Sequence, residues 1–589
     1  MFISVFSFVA LNLVLVLLSI FAGRSVYSLL PNEMHHPLAL KIGVSYFSGL
    51  SLFVLLYRIL ASHDARTGLW IALFAMFLLS SITIYRIRGH IQEAITAISR
   101  RKVLLAVVII LTPIILLAVW LEPRTTLALH PSDNLASLHS GRYANIALYI
   151  LEANYVPVLG QNYLQSLLST VAPFFTGHHW PLFSLYVWLC VSMIMLMIIL
   201  YGIFNLFQLS HARSCIGTAV LMFGNTALSL THVVVIDSGS PLFHVGYTDS
   251  LMTVGTILLF LVYLRHVYLG GVTVANSVIP IVLGITWNSY APQNVVVAVA
   301  LIGLIAGYSF WKAMKYRGYL VLMGLFTVSV YIGSFQGGFL VPGKFLDNTS
   351  IPGALKLDAG KKEYNIGPAM TGSRPDKHIP KTGWTEVSYH RSPLVKETDR
   401  TTPWRRAIVE RLSALYTAAY TFESNLFKEI SLTFFPLMGL VLTGYLVSRR
   451  KRTRDVGHRP IDLRHLFWVS LVVFTCGFLV SFFLEIHNDH KWDLSRFMFP
   501  AFTICVISLV VALYRIKDSI LRRGGRFTWV PAAVFTIMLF GPVSNITLTT
   551  IVHLSRLNGP AYLSISERIR LLFSTTSTIH YPAGPGSKK

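Results

Sequence analysis

The sequence predicts an all-α polytopic membrane protein with about fourteen transmembrane helices. Three observations carry that expectation. Of the 589 residues, 54% are hydrophobic and only 13% are charged, whereas a soluble chain carries about a quarter charged residues. Apolar runs of about twenty residues recur from end to end, each long enough to cross a bilayer as a helix. None of them alternates apolar and polar residues as the strands of a transmembrane barrel would.

The runs lie at 2–22, 41–60, 68–86, 103–121, 181–207, 214–236, 249–268, 274–290, 292–311, 318–336, 430–448, 464–484, 495–514 and 528–553. The first, Phe2–Ala22, lacks the basic n-region and small-residue cleavage site of a signal peptide, so it reads as a retained span. Cys190, Cys215, Cys476 and Cys505 all fall inside apolar runs with no Cys-x-x-Cys spacing, a pattern that speaks against a disulfide framework or thiol chemistry.

Lysine and arginine set the orientation. The net charge is +24, but the basic residues cluster in short loops beside spans. Arg86, Arg88, Arg100, Arg101 and Lys102 separate the third and fourth runs. Lys312, Lys315 and Arg317 follow the ninth. Arg449, Arg450, Lys451, Arg452, Arg454, Arg459 and Arg464 separate the eleventh and twelfth, and Arg515, Lys517, Arg522, Arg523 and Arg526 follow the thirteenth. If the spans alternate, all four loops lie on one side, which is then the cytoplasm. Arg24, after the first span, agrees. This distribution fits topology and contact with lipid headgroups, and argues against a nucleic-acid partner.

The opposite side receives the long loops, 122–180 and 337–429. The second is polar and long enough to fold as a small extracytoplasmic cap. Its end, Trp404–Phe427, places Ile408, Leu412, Leu415 and Tyr416 at helical spacing, as in a helix lying on the membrane surface. A second surface helix is expected around SISERIRLLF, and the closing AGPGSKK reads as disordered.

Four segments on this outer side concentrate polar groups. The first, within 131–168, carries Asp133, His139, Arg142, Glu152, Gln161, Asn162 and Tyr163 among helix-forming apolar residues. The second, IDSGSPLFHVGYTDS, carries Asp237, His244, Tyr247 and Asp249. The third is the turn WNSYAPQN. The fourth, EIHNDHKWDLSRFMFP, carries Glu485, His487, Asp489, His490, Lys491, Trp492, Asp493 and Arg496. Ionisable groups at membrane depth are costly and tend to line a protein cavity with a role. A carboxylate there can deprotonate an attacking hydroxyl. Arginine holds a phosphate bidentately.

Each also has a plainer reading. Asp133 follows Pro131-Ser132 at an expected helix start, where the helix dipole alone favours an acid. Asp237 and Asp249 stand at span ends. Arg496 opens an apolar run and can snorkel. His487, Asp489 and His490 are spaced to approach a metal, but no further well-spaced ligand completes a motif. No P-loop, dinucleotide fingerprint, HExxH or GxSxG occurs in a fitting context, so no confident cofactor is expected.

The unit from the fourth to the tenth run resembles the seven-span module of the GT-C glycosyltransferases, membrane enzymes that use polyprenyl-phosphate-linked sugars. In that family the module starts inside and crosses outward into a long loop with surface helices and an acid near its start, as Asp133 stands here. IDSGSPLFHVGYTDS resembles the acid- and histidine-bearing second outer loop of dolichol-linked members. YAPQ and RFMFP resemble short runs of the family. Two features depart from the pattern: three spans precede the module, and the first outer loop has a single acid rather than a pair.

The resemblance implies a three-span N-terminal addition over 1–102, a GT-C-like catalytic module over 103–336, the loop or cap over 337–429, a four-span module over 430–553 and a tail over 554–589. It implies Asp133 as general base for the acceptor hydroxyl. Arg142, His244 and Arg496 are then candidates for the lipid phosphate, with His139, Gln161, Asn162, Tyr163, Asp237, Asp249, Glu485, Asp489, Trp492 and Asp493 as further substrate contacts. The implied partners are a polyprenyl-phosphate sugar and a glycan, lipid or protein acceptor. The implied location is a bacterial cytoplasmic membrane with the site on its outer face.

Two other classes fit parts of the pattern. An O-antigen polymerase or ligase would place the weight on His378, His390, Arg391, Arg405 and Arg406 of the large loop. A transporter or flippase would show two related halves and polar groups near mid-membrane, and the sequence shows neither.

Overall fold

The computed structural model describes residues 2–28, 37–61, 64–88, 147–148, 150–154, 163–177, 180–223, 340–341, 344–345, 438–446, 463–483, 499–522 and 529. Apart from an antiparallel pairing of β1 (Leu340–Val341) with β2 (Lys344–Phe345), the regular structure among these residues is helical. Four helices are long and apolar enough to cross a membrane, within α1 (Phe2–Tyr27), α2 (Leu38–Leu60), α3 (Ala65–Ile87) and α5 (Pro181–Leu206). They coincide with the runs at 2–22, 41–60, 68–86 and 181–207. The chain is therefore a multi-pass integral membrane protein. The β pairing lies at the start of the 337–429 segment; the remainder of that segment lies outside the described residues.

α1 and α2 form an antiparallel hairpin built on small residues. Ser19 and Gly23 on α1 face Ser45 and Gly49 on α2. A Cβ on Gly23 would overlap the Ser45 carbonyl oxygen, and one on Gly49 would overlap that of Ser19. In lipid the tails are as apolar as any side chain, so helices associate through close backbone approach rather than through exclusion of water. This reciprocal Ser-x-x-x-Gly pair supplies it.

α2 is the centre of the bundle. Its Leu40, Val44, Phe47, Leu50, Phe53 and Tyr57 are buried. It packs on α1, α3, α5 and α4 (Tyr163–Thr176). The α2–α5 contact repeats the small-residue device: a Cβ on Gly202 would stand 2.5 Å from the Leu40 nitrogen, and one on Gly43 2.7 Å from Ile199 Cβ. Tyr46 Oη and Ser192 Oγ, 3.2 Å apart, add a buried hydrogen bond between these helices. α3 closes the other side of the hairpin, where Ser80 Oγ donates to the Leu18 carbonyl over 3.1 Å.

The outer row of α3 faces away from the protein. Trp70, Phe74, Leu78, Ile82 and Tyr85, three or four residues apart, are all substantially exposed. Beyond Trp70, which meets Phe175 of α4, such an exposed apolar stripe in a span is where lipid chains belong.

Helix α4 falls within the 122–180 segment, expected from the sequence as a long outer loop, and it is a packed element. Ser166, Leu167, Ser169, Thr170 and Ala172 are buried. It packs on α1, α2 and α5. It ends at Gly177, whose left-handed φ of 67° lets its N–H reach the Pro173 carbonyl at 3.0 Å, a common helix stop. The helices before residue 102 and those of 163–206 thus share one core.

Beyond α5, the residues Gln208–Ser210 lead into α6 (His211–Phe223). Farther along the chain, α7 (Leu463–Phe483) packs against α8 (Phe499–Arg522). α8 meets α6 where a Cβ on Gly217 would stand 3.0 Å from Val510 Cγ1, and meets the helical stretch 438–446 where one on Gly444 would stand 2.6 Å from Ala512 Cβ. The four cysteines are free thiols on these helices.

Candidate functional site

Five described pieces gather at one end of the bundle: the start of α1, the α2–α3 turn, residues 150–154, α4 and the start of α5. Residues 150–154 and the start of α4 belong to the polar 131–168 segment, and the other pieces lie before or after it in sequence.

The end of α2 and the start of α3 approach closely. A Cβ on Gly68 would stand 2.6 Å from the Ala61 nitrogen. α3 begins with Asp64, a favoured N-cap type because a short side-chain acceptor can satisfy the unpaired N–H groups of a first turn. Asp64 Oδ1 accepts from the Thr67 N–H at 2.8 Å. The two preceding donors go to Asn154: the Ala65 N–H reaches its carbonyl at 2.7 Å, and the Arg66 N–H reaches its Oδ1 at 3.0 Å. Asn154 Nδ2 then donates to Asp64 Oδ1 at 3.1 Å. Asn154 can turn these groups toward α3 because its φ is 56°, a left-handed geometry that asparagine tolerates better than most residues. Its own N–H closes the helical segment behind it, donating to the Ile150 carbonyl at 2.9 Å. One asparagine thus ends one helix and caps another. The Thr67 N–H foremost, and Asn154, hold the Asp64 carboxyl below its usual range, against a smaller desolvation effect.

α4 is tied into the same end. Tyr57 Oη and Thr170 Oγ1 lie 2.9 Å apart, both buried. Trp70 meets Phe175 edge-on with ring centroids 4.7 Å apart. Phe8 packs on Trp180 and Phe183 at 5.7 and 5.4 Å, with Ala172 beside them. Just inward, Asn12 is buried. Its Nδ2 donates to the Phe8 carbonyl at 3.0 Å, and its Oδ1 has no partner among the described residues.

The opposite end carries a different set. Arg213 on α6 makes a bidentate ion pair with Asp518 on α8, at 2.7 and 2.9 Å, and lies 5.3 Å from the Tyr514 ring centroid. Tyr201 Oη and His211 Nδ1 are 2.7 Å apart. Arg24, Arg86 and Arg88 stand at the ends of α1 and α3, toward this side.

Of the residues singled out in the sequence, Tyr163 opens α4 and Glu152 lies exposed on the helical segment 150–153. Asp133, His139, Arg142, Gln161, Asn162, Asp237, His244, Asp249, Glu485, Asp489, Trp492, Asp493 and Arg496 lie outside the described residues. Among the described residues, no group of three or more His, Cys, Asp or Glu side chains is placed to hold a metal. Sequence reasoning missed the Asp64–Asn154 clasp. Asp64 has a local signal, an N-cap type before a helical run, but nothing local marks Asn154 as its partner. Asp64, Asn154, Tyr57 and Thr170 at this end are engaged in caps and interhelical bonds, while Asn12 Oδ1, Ser169 Oγ and Ser184 Oγ are buried without a hydrogen-bond partner among the described residues. The chemistry of the engaged groups is positional, because they fix backbone; Glu152, on the helical segment 150–153, is an exposed carboxylate at the same end. The chain matches no protein-family model, no curated protein and no solved structure at a significant level.

Proposed function

We propose that the chain is an integral membrane glycosyltransferase of the GT-C type, moving a sugar from a polyprenyl-phosphate donor to an acceptor on the extracytoplasmic face. The observation that carries this reading is the sorting of charge along the sequence. Loops rich in lysine and arginine alternate with four segments rich in carboxylate, histidine and aromatic residues, one kind at each end of the spans. The described helices support the sorting. Asp64, Arg66, Glu152 and Asn154 stand at one end, and Arg24, Arg86, Arg88 and the Arg213–Asp518 pair at the other, so arginine predominates at the second.

In this reading Asp133 accepts the proton of the acceptor hydroxyl as its oxygen attacks the anomeric carbon from the face opposite the phosphate. The bond from that carbon to the phosphate oxygen breaks, the configuration inverts, and polyprenyl phosphate leaves. Arg142, His244 and Arg496 balance the negative charge that gathers on the phosphate, the electrostatic contribution such a site makes. A lipid-borne donor enters from the bilayer, so no nucleotide-binding motif is required. Asn154 in the clasp and the buried start of α4 both belong to the polar 131–168 segment that carries Asp133.

Purified protein in proteoliposomes, given undecaprenyl- and dolichyl-phosphate hexoses and pentoses and an extract of native membranes as acceptor source, tests the class. Formation of a glycosidic product with stoichiometric release of polyprenyl phosphate is the expected result. Movement of the donor across the bilayer with no new bond, or no product from any of these donors, overturns it.

A further inference from the structure

We infer that the arginine-bearing ends of α1 and α3 form a binding site for an anionic phospholipid. The two helices run parallel and are pinned together close to these ends. Ser25 Oγ lies 3.5 Å from the Leu79 carbonyl oxygen and hydrogen-bonds the Thr83 hydroxyl. Arg24 is adjacent to Ser25, while Arg86 and Arg88 follow Thr83 within about 8 Å of helix rise. Three guanidinium groups are therefore brought to one corner of the bundle.

No aspartate or glutamate occurs anywhere in α1, α2 or α3. The cations of this corner thus meet no carboxylate from the helices that carry them; Asp64 caps the far end of α3. Arg86 and Arg88 are exposed. Arg88 is held over the Tyr85 ring at 4.5 Å, and Arg24 lies 5.3 Å from the Tyr27 ring centroid. Cation–π contact of this kind holds the Arg88 guanidinium in place while leaving its edge N–H groups able to donate.

The exposed apolar row of α3 leads directly to this corner. Phe74 is 62% exposed and Tyr85 67%, with Leu78 and Ile82 between them. A phosphodiester headgroup fits the guanidinium fork. An acyl chain fits the row beside it. Charge complementarity and an adjoining apolar track together select a phospholipid over soluble phosphate, which has no use for the track. The site lies at the opposite end of the bundle from the Asp64–Asn154 clasp and does not depend on the proposed reaction.

The test is native mass spectrometry of the full chain released from nanodiscs of phosphatidylcholine and phosphatidylglycerol in equal amounts. The wild type is expected to retain phosphatidylglycerol preferentially. A basic residue at a membrane surface contributes a factor of about five to anionic lipid binding, so Arg86→Gln with Arg88→Gln is expected to lower the preference about thirty-fold. Arg88→Gln alone, should the pair disturb folding, is expected to lower it about five-fold. Arg66→Gln, at the other end of α3, leaves it unchanged. Equal retention of the two lipids by the wild type, or a preference that survives removal of both arginines, overturns the assignment.

Discussion

Asn154 Nδ2 donates to Asp64 Oδ1 over 3.1 Å, joining residues ninety positions apart. The same asparagine accepts from the Ala65 and Arg66 N–H groups. The first turn of α3 therefore owes part of its capping to a residue within the polar 131–168 segment.

The clasp has a defined pH dependence. The folded state holds the Asp64 carboxyl below its ordinary value of 3.8. A carboxyl depressed on folding contributes stability above its unfolded pKa and loses that contribution as pH falls through the folded one. Hydrogen exchange at the Arg66 and Thr67 amides is expected to show constant protection from about pH 8 to about pH 5, after correction for intrinsic rates, and weaker protection below about pH 4. Loss of protection near neutral pH would contradict this.

Substitution at Asn154 separates backbone from side chain. Asn154→Ala removes the acceptor for Arg66 and puts a Cβ-bearing residue without a local hydrogen bond into a left-handed conformation, which costs about 1–2 kcal/mol. Asn154→Gly loses the acceptor but relieves the backbone, so it is expected to cost less than the alanine variant. Thermal unfolding in detergent reads the order. Equal losses for the two variants would refute the backbone part.

The α1–α2 hairpin depends on close approach at Gly23 and Gly49. A Cβ at either glycine overlaps a carbonyl oxygen of the facing helix, and backbone cannot yield as a flexible side chain can. Gly23→Val and Gly49→Val are each expected to cost about 3 kcal/mol or more. A pair of valines on the lipid-facing row of α3, at Leu78 and Ile82, is expected to cost under about 1 kcal/mol. Folded yield after extraction and melting temperature check both.

The Arg213–Asp518 pair links α6 to α8 with about a third of each side chain exposed, 34% and 29%. Solvent screens such a pair, so a double-mutant cycle with Arg213→Gln and Asp518→Asn is expected to return a coupling of about 1 kcal/mol or less. The coupling should shrink as salt is raised toward about 1 M. A coupling that grows with salt would exclude an ionic contribution.

The spans at α1, α2, α3 and α5 were legible because a long apolar run is enough to identify a helix whose solvent is lipid. Their ends were less so. α1 runs to Tyr27, past the apolar run that closes at Ala22, because Gly23 and Ser25 are held by contacts with α2 and α3 that no local pattern records. α4 falls in what the sequence presents as a long outer loop. Its fourteen residues are too few to span a membrane, and Ser166, Ser169 and Thr170 look solvent-facing until α1, α2 and α5 are known to cover them. Arg213 and Asp518 lie in unrelated segments, and their pairing follows from packing alone. The candidate catalytic residues were selected by chemistry and topology, and apart from the backbone of Tyr163 they lie outside the described residues.

Asp133 carries the proposed chemistry, and Asp133→Asn is the most direct test of it, because the change keeps size and removes the base. With wild-type and variant protein at equal folded yield, and with the donor giving the highest wild-type rate, transfer by the variant is expected to fall about 100-fold or more, the contribution a general base makes. Transfer by Asp133→Asn at the wild-type rate would contradict the assignment.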